Sequence, residues 1–148
     1  MIRPFQPQDA SACCRIIHAC LETDASYPLE LRARIRDQER PQSMIERAAL
    51  FYVAVCESEG RILGFAGLDL NEIRLLYVDP GSQRLGIGRL LLGHLIAMVP
   101  STLFSEIFVY STLGAAGFYR SCGFRNKGPF AFDLGGVSLQ TVFMSLDR

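Results

Sequence analysis

Apolar and polar residues divide the middle of the chain into strand-like runs separated by short turns. The runs LFYVAVCE (50–57) and RILGFAGLDL (61–70) are rich in Val, Ile, Phe and Tyr, and the tripeptide SEG separates them. Two such runs around a short polar turn predict a β-hairpin. The segment EIRLLYV (72–78) follows the turn residues Asp69 and Asn71 and predicts a third strand.

Helical spacing dominates the N-terminal third. A short strand is predicted from Met1 to Arg3, and Asp9 can cap a helix from Ala10 to about Leu21. One face of this helix carries Ile16, Ile17 and Cys20. Residues 22 to 48 are polar and interrupted by prolines, and they predict one or two short helices, PLELRARIRDQ and SMIERAA.

The C-terminal half alternates helices with strands. A leucine-rich helix is predicted from about residue 87 to residue 98, followed by the strand TLFSEIFVYS and the short helix GAAGFYRSC. GPFAFDLGG and SLQTVFMSLD predict a closing antiparallel pair. The order β-αα-βββ-α-β-α-ββ predicts an α/β or α+β fold with a mixed sheet, and residues 1–148 are expected to form a single domain.

Composition narrows the range of functions. The chain has 15 basic and 15 acidic residues, so its zero net charge does not favour nucleic acid or an anionic membrane. The longest apolar stretch, Leu90 to Val99, is too short to span a bilayer, and the N-terminus lacks the pattern of a signal peptide. Five cysteines without CxxC spacing and two distant histidines predict a reduced, cytoplasmic protein without a metal site.

Two glycines, Gly86 and Gly88, stand where the leucine-rich helix begins. The first N–H groups of a helix have no intrahelical partner, and glycine lets an anion approach them closely. With Arg84 and Arg89 beside them, these N–H groups predict a phosphate or pyrophosphate site. No Lys-Ser/Thr follows the glycines, which excludes a P-loop, and Leu91 breaks the GxGxxG pattern. The other interpretation is a helix start whose glycines only permit a tight turn.

The full motif around these glycines carries a family resemblance. QRLGIG (83–88) has the spacing Q-x-x-G-x-G and follows LLYVDP, as in motif A of the GNAT superfamily of acetyl-CoA-dependent N-acetyltransferases. GFYRSCGF (117–124) resembles motif B of that family, and IRPFQPQD resembles its first strand. The resemblance implies a GNAT-like fold, with a mixed central sheet of about seven strands flanked by helices.

The same resemblance assigns roles to individual residues. It implies that the backbone of Leu76, Tyr77 and Val78 pairs with the pantetheine arm of acetyl-CoA. It also implies that the motif cradles the pyrophosphate through Gln83, Arg84, Leu85, Gly86, Ile87, Gly88 and Arg89. Tyr119 would be the acid that protonates the departing thiolate. Gly114 stands where the family often has an asparagine that contacts the cofactor.

The catalytic base is predicted less directly. Glu72 occupies the position at which many members of the family carry a carboxylate that deprotonates the amine. A regular strand would place Glu72, Arg74, Leu76 and Val78 on one face, and Arg74 could hold Glu72 ionised. A solvated glutamate at a strand end is the structural alternative. Glu106 is the second candidate base, and direct use of deprotonated amine from solution is the third possibility.

The resemblance thus implies direct transfer of an acetyl group from acetyl-CoA to a primary amine of a small molecule or peptide. A non-catalytic acyl-CoA sensor on the same fold is the alternative, and a homodimer is one possible assembly. The acceptor site is expected between residues 22–48 and the hairpin at 126–142. Polar side chains that could meet the acceptor, or could simply be solvated, are Tyr27, Glu30, Arg32 and Arg36.

Overall fold

The structure, a computed structural model, describes residues 1–148 as seven strands and five helices. The strands are β1 (Ile2–Pro4), β2 (Tyr52–Ser58), β3 (Arg61–Asp69), β4 (Glu72–Val78), β5 (Glu106–Thr112), β6 (Arg125–Leu134) and β7 (Val137–Asp147). The helices are α1 (Ala10–Thr23), α2 (Leu29–Gln38), α3 (Pro41–Leu50), α4 (Ile87–Met98) and α5 (Ala116–Ser121). None of these helices combines the length and the apolar character that crossing a membrane requires.

All seven strands belong to one sheet, in the order β1-β2-β3-β4-β5-β7-β6. Every neighbouring pair is antiparallel except β4 and β5, which are parallel. The predicted mixed sheet of about seven strands is therefore confirmed. The two parallel strands lie at its centre, with α4 as the crossover between them.

The predicted boundaries differ from the structure mainly where a turn precedes an element. Three helices separate β1 from β2, because both of the short helices allowed in residues 22–48 form. β5 begins at Glu106 instead of Thr102, since the N–H groups of Leu103 and Phe104 both donate to the Pro100 carbonyl and close a turn. The last helix begins at Ala116, after a 3-10 turn at Leu113–Ala115.

Each face of the sheet has its own apolar core. On one face, α4 and α5 pack on the sheet through a cluster that includes Leu91, Leu95, Tyr119, Ile107 and Met144. On the other face, α1 and α3 pack through a cluster that includes Ile16, Ile17, Met44, Val55 and Phe65. The leucines of α4 and the isoleucines of α1 recur at helical spacing, which explains why these helices could be predicted.

A β-bulge at Arg74 changes which residues of β4 face which core. Leu75 pairs with Gly67 and Ile73 pairs with Leu68, so Arg74 has no partner on β3. Ile73 packs in the α4/α5 core, as do Leu76 and Val78 after the bulge, whereas Leu75 packs against the core beneath α1 and α3. The prediction that Glu72, Arg74, Leu76 and Val78 share one face is therefore wrong. A bulge adds one residue to the strand and reverses the alternation beyond it.

Candidate active site

The central feature of the site is a gap between β4 and β5. These parallel strands pair only at Glu72 with Phe108 and at Ile73 with Val109, and then diverge. A cavity of about 530 Å³ occupies the space between them. Along β4 it is lined by residues from Ile73 to Val78, so the strand edge that faces β5 is free of a partner strand there.

The cavity passes through the sheet, because residues from both faces line it. Leu76, Val78, Val109 and Tyr119 belong to the side of α4 and α5. From the opposite side come the end of α1 and the loop that follows it, with Cys20, Leu21, Thr23, Asp24, Ala25, Ser26 and Tyr27. The gap therefore connects the two faces, and a molecule bound in it is accessible to groups from both.

A second cavity, of about 470 Å³, adjoins the first at the start of α4. The two cavities share Leu76, Val78, Gln83, Ala115 and Tyr119. Predicted cradle residues that line this second cavity are Gln83, Arg84, Gly86, Ile87, Gly88 and Arg89; Leu85 is exposed beside them. The predicted cofactor residues of β4 and α4 thus border one continuous cleft.

The backbone at the start of α4 has the form of an anion site. Arg84 (φ 68°) and Gly86 (φ 82°) both adopt the left-handed conformation, which curls the chain into the helix. The N–H groups of residues 84 to 89 donate to no backbone acceptor, and Gly86 provides no side-chain cap. A Cβ at Gly88 would lie 3.4 Å from the Phe118 ring. Free N–H groups at a helix N-terminus fit a phosphate or pyrophosphate.

Tyr119 lies where the two cavities meet. Its side chain is 5% exposed and is held between the rings of Phe118 and Phe124, at centroid distances of 5.3 and 5.4 Å. Burial raises the pKa of the Tyr119 phenol well above its usual range. The hydroxyl therefore remains protonated at neutral pH, which is the state that a proton donor needs.

Glu72 lies at the edge of the cleft, one residue before the first cavity-lining residue of β4. Its side chain is 24% exposed, and Oε1 lies 3.8 Å from Nη1 of Arg74, which also approaches Oδ2 of Asp69 at 3.3 Å. Burial raises the pKa of Glu72, and the Arg74 charge opposes this shift. Glu106 pairs with Asp147 at the opposite end of β5, whose cavity-lining residues begin at Val109.

Gly114 is in contact with the loop after α1. Its N–H donates to Oγ of Ser26 at 2.8 Å, and Oδ1 of Asp24 accepts the Ser26 N–H at 2.9 Å. A Cβ at position 114 would lie 3.1 Å from Ser26 Oγ and 3.2 Å from Asp24 Oδ1. The loop thus fills the space that a larger side chain would need at this position.

Sequence reasoning placed the loop in the acceptor region but missed its contact with Gly114, and it missed α1 as part of the site. The Cys20 thiol and Nε2 of Gln83 each donate to the Val78 carbonyl at 3.2 Å, so one polar group of β4 is already engaged. Burial raises the pKa of Cys20 to about 11. The position of Cys20 on the apolar face of α1 was the one sequence feature that could have indicated this contact. It was not sufficient, because no local motif relates that face to β4.

The four polar residues considered for the acceptor fall into two groups, two at the site and two in ion pairs on the surface. Tyr27 lines the central cavity. Arg32 donates to the carbonyls of Tyr27 and Asp24 and so supports the loop. Glu30 pairs with Arg34, and Arg36 pairs with Glu22, both on the surface. Of the four, only Tyr27 and Arg32 take part in building the site.

Comparison with known proteins identifies the family. A family model described as "Acetyltransferase (GNAT) domain" matches residues 24–140. The chain belongs to the GNAT acetyltransferase family. A curated relative, the peptidyl-lysine N-acetyltransferase YjaB of Escherichia coli, is 32% identical over 114 residues, which cover 74% of this chain and 72% of that protein. The predicted assignment as an acyltransferase of the GNAT type is confirmed.

Solved GNAT structures share the fold along its whole length. A GCN5-related N-acetyltransferase from Rhodopseudomonas palustris superposes with a TM-score of 0.91 at 22% identity, covering 100% of this chain and 95% of that chain. YncA of Salmonella typhimurium, solved with acetyl-CoA, gives a TM-score of 0.73 at 22% identity, covering 99% and 92%. The predicted GNAT-like fold is therefore confirmed.

Proposed function

We propose that this protein transfers an acetyl group from acetyl-CoA directly to a primary amine. The observation that carries the proposal is the continuous cleft, which joins a backbone anion site to a gap in the sheet with Tyr119 at the junction. An anion site alone would fit many phosphate ligands. Here the anion site opens into the gap between β4 and β5, and this arrangement fits a ligand with a pyrophosphate and a long, unbranched chain attached to it.

The residues present fit coenzyme A in two ways. The unpartnered N–H groups of residues 84 to 89 would hold the pyrophosphate, with Arg84 and Arg89 as cationic neighbours. The edge of β4 from Leu76 to Val78 has no partner strand and would hold the pantetheine arm, whose amide groups can pair with a strand. The Val78 carbonyl already accepts from Cys20 and Gln83, so the arm would have to share or displace these bonds there. When bound, acetyl-CoA supplies an acetyl group on a thioester, whose leaving group is a thiolate.

Tyr119 and Glu72 are proposed to move the protons. The neutral amine nitrogen would form the C–N bond to the acetyl carbon as the C–S bond breaks, and Tyr119 would donate its proton to the leaving sulfur. Glu72 accepts a proton from the amine, directly or through water. Its partly buried position favours this role, because a raised pKa makes a carboxylate a stronger base. Glu106 and deprotonated amine from solution remain the alternatives.

Direct transfer is favoured over an acyl-cysteine intermediate. Cys20 is the one cysteine that lines the central cavity, and burial raises its pKa to about 11. A thiol of that pKa is protonated near neutrality and is a poor nucleophile. All five cysteines are free, which agrees with the cytoplasmic location that we include in the proposal.

Two measurements test the proposal. Calorimetric titration with acetyl-CoA should show binding, and addition of an amine panel that includes a lysine peptide should release free thiol. Binding without thiol release for any amine would support the acyl-CoA sensor instead. That alternative draws on Gly114, which lacks the side chain through which many GNAT proteins contact the cofactor. An absence of binding would overturn both functions.

A further inference from the structure

Five aromatic side chains form a continuous surface on β5, β6 and β7. We call this surface the aromatic wall, and it consists of Phe108, Tyr110, Phe130, Phe132 and Phe143. Neighbouring ring centroids in it lie 4.9 to 6.0 Å apart. Rings at these distances present one broad apolar surface rather than isolated side chains.

Tyr110 connects the aromatic wall to the cleft. It lines the central cavity and lies 5.0 Å from Phe130 and 5.2 Å from both Phe132 and Phe143. Phe130 is 44% exposed. The wall therefore begins inside the cleft and continues outward to solvent. Exposed leucines such as Leu103 belong to no such aromatic surface, and single exposed apolar residues of that kind are common.

The aromatic wall and Glu72 lie on the same face of the sheet. Glu72 pairs in register with Phe108, and the next pair, Ile73 with Val109, belongs to the core on the opposite face. Partners in register project to the same side of a sheet. The wall is thus on the side from which an amine would reach Glu72, opposite the anion site. Arg34 of α2 donates to the carbonyls of Leu134 and Gly135 and holds α2 to the β6–β7 turn.

The charges beside the wall favour a cationic ligand. Arg74 bridges the carboxylates of Asp69 and Glu72, and this group of three keeps one net negative charge when both are ionised. Such a group attracts an ammonium and repels a further carboxylate. Arg34, at the far end, is already paired with Glu30.

We infer that the acceptor is a small primary amine that carries an aromatic ring on a short alkyl chain and no carboxylate. The inference rests on the proposed function and specifies its substrate class. The ring packs on the aromatic wall at Tyr110 and Phe130, while the amine lies toward Glu72 and the gap between β4 and β5. A peptide lysine presents its amine on a flexible aliphatic chain and uses less of this surface.

The test compares acceptors that differ in one property. 2-Phenylethylamine and 2-cyclohexylethylamine have the same chain and similar size, but only the first has an aromatic ring. Phenylalanine adds a carboxylate, and a lysine peptide represents the other substrate class. With acetyl-CoA saturating, we expect kcat/KM for 2-phenylethylamine to exceed that for 2-cyclohexylethylamine and for the lysine peptide by about tenfold, since ring–ring packing contributes at this level. It should also exceed that for phenylalanine, because the net negative group of Asp69, Glu72 and Arg74 repels the added carboxylate.

Variants of Phe130 test whether the preference for an aromatic amine depends on the aromatic wall. Phe130→Leu keeps an apolar side chain and loses the ring, and Phe130→Ala removes both. We expect the aromatic preference to fall to about threefold in the first variant and to disappear in the second. Phe130 is exposed enough that neither change should prevent folding, which circular dichroism can check. Leu103→Ala, another exposed apolar residue that lies outside the cleft, should leave the preference unchanged.

The outcomes separate the two proposals. Equal use of the cyclohexyl and phenyl amines, a preference for the lysine peptide, or a preference that survives Phe130→Ala would overturn the aromatic acceptor but leave acetyl transfer intact. Acetyl-CoA binding without transfer to any amine would overturn both.

Discussion

The two ends of the cleft would recognise the proposed ligands by different means. At the α4 end, recognition would come from the backbone, with free N–H groups between Arg84 and Arg89. At the other end it would come from side chains, since the aromatic wall is assembled from three strands. A backbone site depends on the conformation of one short segment, whereas a side-chain site can change with any strand that contributes to it. The donor end is therefore the local feature of the molecule and the acceptor end is the composite one.

The two ends of the cleft also differ in the sign of their charge. The α4 end offers hydrogen-bond donors and two arginines, with positive helix-dipole potential. The acceptor end has Asp69, Glu72 and Arg74, with an excess of negative charge. An anionic donor and a cationic acceptor would thus each be attracted to their own end, and each would be disfavoured at the other.

The largest expected effect comes from adding a negative charge at the α4 end. Gly88→Asp should weaken acetyl-CoA binding by about 10⁴-fold, equivalent to the loss of two or three charge-assisted hydrogen bonds. The fold should persist, because Asp is favourable in the first turn of a helix. Gly88 is a cleaner site than Gly86, whose φ of 82° would strain any side chain.

Gly93→Asp is the matched control for this change. It introduces the same residue in the same helix, at an exposed position with nothing within 4 Å of the added Cβ. Calorimetry should find its acetyl-CoA affinity close to that of the wild type. Equal acetyl-CoA affinities for the Gly88 and Gly93 variants would show that the start of α4 is not the anion site.

A smaller effect is expected at the junction of the two ends. Tyr119→Phe should lower kcat by about 10³-fold, within the usual range for a general acid, and should leave acetyl-CoA affinity nearly unchanged. Tyr52→Phe removes a hydroxyl that contacts Nε2 of His94 at 3.0 Å, outside the cleft, and should not change kcat. A loss below threefold for Tyr119→Phe would identify Tyr119 as a packing residue.

The smallest effect is expected at the acceptor end. Glu72→Gln should lower kcat/KM by about 10²-fold. Because the proposed base is the ionised carboxylate, the wild-type rate should rise with pH through the pKa of Glu72, at a midpoint above that of an ordinary glutamate. Arg74→Gln removes the charge that favours ionisation and should move this midpoint to higher pH.

Two acceptors of different pKa distinguish the enzyme from the substrate in these pH profiles. If the rise follows the acceptor pKa and neither Glu72→Gln nor Arg74→Gln alters it, Glu72 is not the base. Glu106 would then be the next residue to replace.

The difference between local and composite sites also explains what the sequence could predict. The strand predicted at 72–78 has those bounds in the structure, and the helix predicted at about 87–98 does form there, since the motif QRLGIG marks the helix start. Ser26 and Tyr110 escaped prediction, because they join the site only through the packing of distant segments. The bulge escaped for another reason. It arises from the register between β3 and β4, and EIRLLYV is equally compatible with a regular strand.

The extra residue at Arg74 restricts how this chain can be re-engineered. Surface loops usually tolerate insertions and deletions. In β4, by contrast, regular pairing of Arg74 with β3 would turn Leu76 and Val78 away from the α4 side, whereas deletion of Arg74 would remove the bulge and keep both residues on that side. A graft of this strand into another scaffold must therefore either reproduce the bulge or omit its extra residue, because a regular strand that keeps Arg74 would present Leu76 and Val78 to the wrong face.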